Sequence, residues 1–139
     1  MRSAATLLCL ILGVACSKEY DQSTRPDQVA GTYTLTHYKG AVLPSIVRTD
    51  STGVLRLMSG SLVIGADHTF SETLSFTLTS PVGAAASQMG LRQGTWSMVR
   101  DYALMSFNDT RNGAIYTGTA AGGAVVLETV TGAQLIYRK

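Results

Sequence analysis

Few side chains in this 139-residue chain have the type and spacing that enzyme chemistry needs. The only two histidines, His37 and His68, lie far apart, and neither has a second histidine or a cysteine at the spacing of a metal site. The sequence also lacks the short motifs of serine hydrolases, P-loop proteins and zinc proteases. We therefore predict a protein that is not an enzyme and that uses no metal or cofactor.

Glu72 is the one charged residue in an unexpected place. It falls on the same face of a predicted strand as three apolar residues, Phe70, Leu74 and Phe76. A carboxylate there must reach water, pair with a cation or rise in pKa. Arg56 and Arg92 are the candidate partners. Two interpretations remain open: a polar anchor inside an apolar pocket, or a residue at a rim whose carboxylate reaches solvent.

Aromatic side chains on inward faces are candidates for the wall of such a pocket. In a small barrel the core and the ligand wall are the same surface. The predicted ligand-binding set is Glu72, Arg56, Phe70, Phe76, Trp96 and Tyr116.

The elements that would position these residues are strands, because the apolar pattern after Val29 has a period of two. In the first strand Tyr33, Leu35 and His37 are predicted to share a face. Turn sequences separate the later short runs, whereas Ser80 to Gly90 is predicted to be a mobile loop. Consecutive strands joined by tight turns predict an all-β antiparallel up-and-down meander. Closing it into a barrel of about eight strands would remove its exposed edges.

Composition limits the kinds of partner. Eleven basic and nine acidic residues leave the chain close to neutral, which argues against nucleic acid as the main partner. The only cysteines are Cys9 and Cys16. Cleavage before Cys16 would leave a single cysteine, so the mature chain could form no disulfide.

The first 28 residues predict export and attachment to a membrane. Arg2 precedes an uncharged run from Ala4 to Ala15, too short to span a bilayer as a helix. The stretch LGVAC before the polar residues resembles the bacterial lipobox. That resemblance implies a signal peptide over residues 1–15, a diacylglycerol on Cys16, and a flexible tether over residues 16–28. It places the protein at the cell membrane or outer membrane, facing the periplasm or the exterior.

The domain itself, residues 29–139, resembles small bacterial lipocalin-like lipoproteins. The similarity lies in GTYTLTHYKGAVLP, in the hairpin SGSLVIGADHTFSETLSF, and in GTWSM, YTGTAAGGAVVLE and LIYRK. His68 replaces the usual glycine of that hairpin, which predicts a different turn type. The resemblance implies a lipocalin-like barrel that binds or shields a small hydrophobic molecule. The alternative is a non-enzymatic interaction or inhibitor module that acts on an envelope protein through its loops.

Overall fold

The computed structural model describes residues 26–99 and 104–139 of the chain. The predicted signal peptide, Cys16 and most of the predicted tether lie outside these residues. A single helical turn, α1 (Pro26–Val29), begins the described part and is followed by ten strands. These strands are β1 (Gly31–Tyr38), β2 (Ala41–Val42), β3 (Ser45–Asp50), β4 (Gly53–Ile64), β5 (Thr69–Thr79), β6 (Ala85–Met98), β7 (Leu104–Asp109), β8 (Ile115–Ala121), β9 (Ala124–Glu128) and β10 (Gln134–Arg138).

The strands form an antiparallel meander that closes on itself. From β4 to β10 each strand pairs with the next one along the chain. Strand β1 pairs with β10 on one side and with β4 on the other, so β1 and β4 to β10 make a closed eight-stranded barrel. The predicted all-β barrel is confirmed. Its alternating sequence buries one face of each strand, and closure pairs the edges that an open sheet would expose.

A β-bulge in β1 changes which residues face inward. Leu35 pairs with Tyr137, but the register shifts before His37, and Tyr38 then pairs with Leu135. Tyr38 packs against the core, so the predicted common face of Tyr33, Leu35 and His37 is wrong at His37. A bulge inserts one extra residue into one strand and so reverses the alternation beyond it.

The segment predicted as a mobile loop is mostly strand. Only Ser80 to Ala84 form the turn, and from Ala85 onward β6 pairs with β5 in an unbroken register that reaches Thr95 opposite Thr69. Glycine and proline near this segment argued for a loop. The neighbouring strand nevertheless supplies backbone hydrogen bonds over the whole length and overrides the local preference.

The hairpin between β4 and β5 also differs from the prediction. The sequence predicts a different turn type at His68, but the residue adopts the positive φ of 66° that glycine would take. Its ring lies 5.0 Å from the ring of Trp96. The indole Nε1 of Trp96 donates a hydrogen bond of 2.9 Å to the Gly65 carbonyl oxygen, which attaches the hairpin to β6.

The barrel has two regions that differ in closure. The closed half is the part in which all eight strands surround a core. Its fully buried side chains include Leu62, Ile64, Met105, Phe107, Val125, Leu135 and Tyr137. The arm is the extension of β4, β5 and β6 beyond it, made of residues 53–58, 75–79 and 85–90, with β3 along one edge. Strand β7 pairs with β6 only from Gly94 to Met98, so it stops short of the arm.

Within residues 26–99 and 104–139 no helix is both long and apolar enough to cross a membrane.

Candidate functional site

Glu72 and Arg92 are brought together by the register of two adjacent strands. They are direct cross-strand partners in β5 and β6, and both lie on the inner face of the barrel. Only 1% of Glu72 is exposed. The interpretation that its carboxylate reaches solvent at a rim is therefore wrong, and Glu72 is a buried acid at the level where the closed half meets the arm.

Both carboxylate oxygens of Glu72 have a protein donor. Arg92 Nε donates to Oε2 in an ion pair, and the Tyr137 hydroxyl donates to Oε1. Tyr137 lies in β10, 65 residues away in the chain. Its hydroxyl can reach Glu72 only because the closed barrel places β10 and β5 around one interior.

Arg92 has a second contact that holds its guanidinium plane. The guanidinium carbon lies 4.7 Å from the centre of the Tyr116 ring, a cation–π geometry. The arginine side chain keeps 17% of its surface exposed, in contrast to its partner Glu72. Of the five N–H donors of a guanidinium, the ion pair with Glu72 uses the one on Nε. Arg92 is thus a fixed cation with further donors near the opening of the barrel.

Burial dominates the electrostatics of this cluster. It raises the pKa of Glu72 because the charged form loses its hydration, whereas Arg92 and the Tyr137 hydroxyl act in the opposite direction. The nearby Asp109 adds to the rise. Burial, and then the negative charge of Glu72, raises the pKa of the Tyr137 hydroxyl above its ordinary value. Tyr137 is therefore held as a neutral donor.

Two members of the cluster were not predicted from the sequence. Asp109 is 1% exposed, and its Oδ1 accepts a hydrogen bond of 2.9 Å from the Arg111 backbone N–H. Alternation in β7 places Asp109 on the face of Met105 and Phe107, the same kind of signal that singled out Glu72. Nothing in the sequence connects Tyr137 with Glu72, because that contact depends on barrel closure.

Three of the predicted aromatic residues occupy different levels of the barrel. Phe70 lies in the closed half, edge-on to Phe107 with ring centres 5.2 Å apart. Trp96 is buried beside the β4–β5 hairpin and is used to hold it. Phe76 lies in the arm and is only partly buried. Tyr116 contacts Arg92. Phe76 lies on the same face of β5 as Glu72, four residues further into the arm.

Gly90 leaves space for the Phe76 ring on the inner face of the arm. It occupies the inward position of β6 two residues before Arg92, opposite Leu74. A Cβ added at Gly90 would lie 3.3 Å from Cε2 of Phe76. The Phe76 ring therefore lies against the space that a larger side chain at position 90 would occupy.

Arg56 lies on the other face of the sheet. It pairs with Thr77 of β5, whereas its neighbour Leu57 pairs with the inward Phe76. Even numbers of residues separate Arg56 from Leu62 and Ile64, so strict alternation would put all three on one face. A register shift between Leu57 and Ser59 reverses the alternation of β4. Arg56 therefore points outward, whereas Leu62 and Ile64 point inward. The structure thus selects Arg92 over Arg56 as the partner of Glu72.

The described residues contain no group of three or more histidine, cysteine, aspartate or glutamate side chains placed to hold a metal ion. In the same residues every buried side-chain nitrogen or oxygen has a hydrogen-bond partner. The Glu72 cluster is thus a satisfied network that keeps Arg92 in place. Its available chemistry is donation of hydrogen bonds from the guanidinium, next to a partly exposed apolar wall.

Comparison with family models, with curated proteins and with solved structures found no match to this chain. The closed eight-stranded barrel is compatible with a lipocalin-like fold and with the binding of a small molecule.

Proposed function

We propose that this protein is a lipid-anchored lipoprotein of the cell envelope whose barrel binds a small, largely apolar molecule. The ligand lies against the inner face of the arm, and its polar end accepts hydrogen bonds from Arg92. One observation carries this proposal: the partly exposed apolar wall of the arm ends at a fixed, partly exposed arginine.

The apolar wall is formed by residues that share one face of three strands. Leu55, Leu78 and Ala86 are cross-strand neighbours in one row, and Leu57, Phe76 and Gln88 form the next row towards Arg92. Leu55, Phe76 and Leu78 are only half-buried, whereas Leu57 is buried like the residues of the closed half. Gln88 is the polar member of its row and is exposed. An apolar surface with few polar groups at one end is the usual composition of a small-molecule site.

The polar end of the site is fixed before any ligand arrives. Glu72 holds Nε of Arg92, and Tyr116 supports the guanidinium plane at 4.7 Å. A donor that is already positioned loses less conformational freedom on binding than a free arginine would. Glu72 is a positioning residue in this proposal, because both of its oxygens are already engaged.

The lipid anchor rests on the lipobox resemblance around Cys16. The described chain is consistent with an anchor at one end of the barrel, because Gly31 pairs with Ile64 at the end opposite the arm. The tip of the arm then lies one length of β5 away from that end, about 35 Å at the usual rise per residue. A ligand would enter from the side that faces away from the anchor.

Ligand binding is tested with an apolar fluorescent probe and two matched variants. Phe76→Ser removes an apolar side chain from the inner face of the arm. Val63→Ser removes an apolar side chain from the outer face of the barrel, where Val63 is 45% exposed. We expect Phe76→Ser to weaken probe binding about tenfold, since 1.4 kcal/mol of lost apolar contact produces that factor. Val63→Ser should leave the affinity unchanged. Equal affinities in all three proteins would refute binding at the arm. Native mass spectrometry of the full protein then identifies any copurified lipid.

The anchor is tested separately by metabolic labelling with a fatty-acid analogue. Cys16→Ser should abolish the label that the wild type carries, because acyl chains contribute about 0.8 kcal/mol per buried methylene and require that sulfur. Cys9→Ser is the matched control and should keep the label. Equal labelling of Cys16→Ser and the wild type would contradict the lipoprotein assignment and leave the ligand site untouched.

The alternative of an interaction module is favoured by a different observation. The turn before β6 and the strand itself present strongly exposed apolar side chains, Val82 at 91% and Met89 at 77%. In the part of the chain that the structure describes, residues 85–90 of β6 pair on one side only, with β5. Exposed apolar residues beside such an unpaired edge are typical of a contact surface.

A further inference from the structure

Strand β6 extends well beyond β7, the strand that pairs with its edge opposite β5. Its last contacts on that side are the bond from Arg111 Nη1 to the Leu91 carbonyl oxygen, 2.8 Å, and the bond from the Thr110 N–H to the Gln93 carbonyl oxygen, 3.0 Å. Before Leu91, nothing within residues 26–99 and 104–139 pairs with this side of β6. Residues 85–90 therefore form a sheet edge in the described part of the chain.

The direction of the backbone groups along this edge follows from alternation. Leu91 and Gln93 direct their carbonyl groups away from β5, whereas the Trp96 N–H donates to the His68 carbonyl oxygen on the β5 side. Backbone groups of successive residues in a strand point to opposite sides. Ala85, Ser87 and Met89 consequently direct both N–H and C=O away from β5, which leaves three evenly spaced residues able to bond to another strand.

This edge lacks the features that keep exposed edges apart. Sheet edges are commonly protected by lysine, by proline within the strand, by bulges or by very short length. From Ser80 to Leu91 there is no charged residue, and Pro81 lies in the turn rather than in the strand. Strand β6 pairs with β5 without a bulge from Ala85 to Thr95, so no bulge interrupts residues 85–90.

We propose that the edge of β6 pairs with the same edge of a second copy of this chain, antiparallel and centred on Ser87. In that register Ser87 faces Ser87 of the second copy, and Ala85 faces Met89 in both directions. The free N–H and C=O groups of Ala85, Ser87 and Met89 in one copy then face the same set of groups in the other. This pairing allows six backbone hydrogen bonds. The two arms become one continuous sheet.

Symmetry and charge favour a second copy as the occupant. An antiparallel strand pair is related by a two-fold axis, so the same segment is complementary to itself, as an isologous dimer interface requires. The segment carries no charge that would repel its own image. The large Met89 side chain lies opposite the small Ala85, and Ser87 opposite itself, so that bulky residues do not collide. The short contact predicts weak, concentration-dependent association.

The two-fold axis runs perpendicular to the joined sheet and reverses the strand direction. The N-terminal ends of the two copies therefore lie at opposite ends of that sheet. If the lipid anchor proposed above exists, this geometry suits copies held on facing membranes better than neighbours in one leaflet. The strand pairing itself does not depend on the anchor.

Cross-linking through introduced cysteines tests the pairing in the full chain. The protein carries Cys9→Ser and Cys16→Ser, is kept in detergent micelles, and receives either Ser87→Cys or the matched control Ser97→Cys. Ser97 is exposed on the same strand, but there β7 covers the edge. With a short bis-maleimide we expect Ser87→Cys to give several-fold more cross-linked dimer than Ser97→Cys, with a yield that rises with protein concentration.

A blocking variant makes the test specific to the edge. Addition of Met89→Lys to Ser87→Cys places a lysine on the free edge, and the dimer yield should fall to that of the Ser97→Cys control. Circular dichroism verifies that the variant keeps its β structure. Equal yields from the two cysteine positions, or a yield that Met89→Lys leaves unchanged, would overturn the proposal.

Discussion

The arm is built from extensions of β4, β5 and β6, three of the eight strands of the closed half, yet the two regions differ in burial. In the closed half Phe107 and Leu62 have no exposed surface. In the arm the inward Phe76 is only partly buried and the outward Met89 is 77% exposed. In β4 and β5 the inward positions are mainly leucine, isoleucine and phenylalanine in both regions. The difference arises because β7 ends before the arm begins, so burial here follows from strand length rather than from composition.

The largest expected effect comes from truncating one phenylalanine in each region. Phe107→Ala should lower the free energy of unfolding by about 3–5 kcal/mol, since the cavity forms in a fully enclosed core. Phe76→Ala should cost about 1 kcal/mol, because the side chain is only partly removed from water in the native state. Urea denaturation followed by the fluorescence of Trp96, the only tryptophan, measures both. Similar losses would show that the arm is as enclosed as the core.

The boundary between the regions is tested at the buried ion pair. Glu72→Leu leaves Arg92 without its carboxylate and should cost about 3–5 kcal/mol of unfolding free energy. The double variant Glu72→Leu with Arg92→Met replaces both charges by apolar groups and should recover part of that loss, because the buried Tyr137 hydroxyl still lacks its acceptor. A double variant as unstable as the single one would mean that the loss comes from packing and the unpaired Tyr137 hydroxyl rather than from the unpaired charge.

Tyr137 allows a pH test of the closed half. Its pKa is raised in the folded protein, so above pH 10 the unfolded chain loses the phenolic proton while the folded chain keeps it. Stability due to this group is therefore complete below pH 10 and falls as the pH rises beyond it, by about 1.4 kcal/mol per pH unit. Tyr137→Phe lacks this contribution and should show a shallower decline. Parallel alkaline denaturation curves of the two proteins would contradict the buried hydrogen bond to Glu72.

The smallest effect is expected at the outer face of the arm. Met89→Lys should change the free energy of unfolding by less than about 0.5 kcal/mol, because the side chain is exposed and touches no core residue. Val82→Lys in the adjacent turn is a matched control. A large loss at Met89 alone would indicate that another part of the chain covers this edge.

Much of this architecture was predictable from local sequence. Alternation in HTFSETLSF placed Glu72 among inward apolar residues, and the same rule applied to β7 would have found Asp109. Turn sequences separated the strands, and consecutive short strands joined by tight turns predicted a meander whose closure into a barrel removes its edges. These features depend on neighbours within a few residues, so they can be recognised without the rest of the fold.

Tertiary structure decided the contacts that depend on register and closure. Arg92 rather than Arg56 pairs with Glu72, because a bulge after Leu57 turns Arg56 outward. Tyr137 reaches Glu72 only across the closed barrel. Residues 85–90 form a strand because β5 extends alongside them, although their own composition favours a loop. A sequence shows which residues alternate, but one inserted residue reverses the face of all that follow, and only strand pairing reveals it.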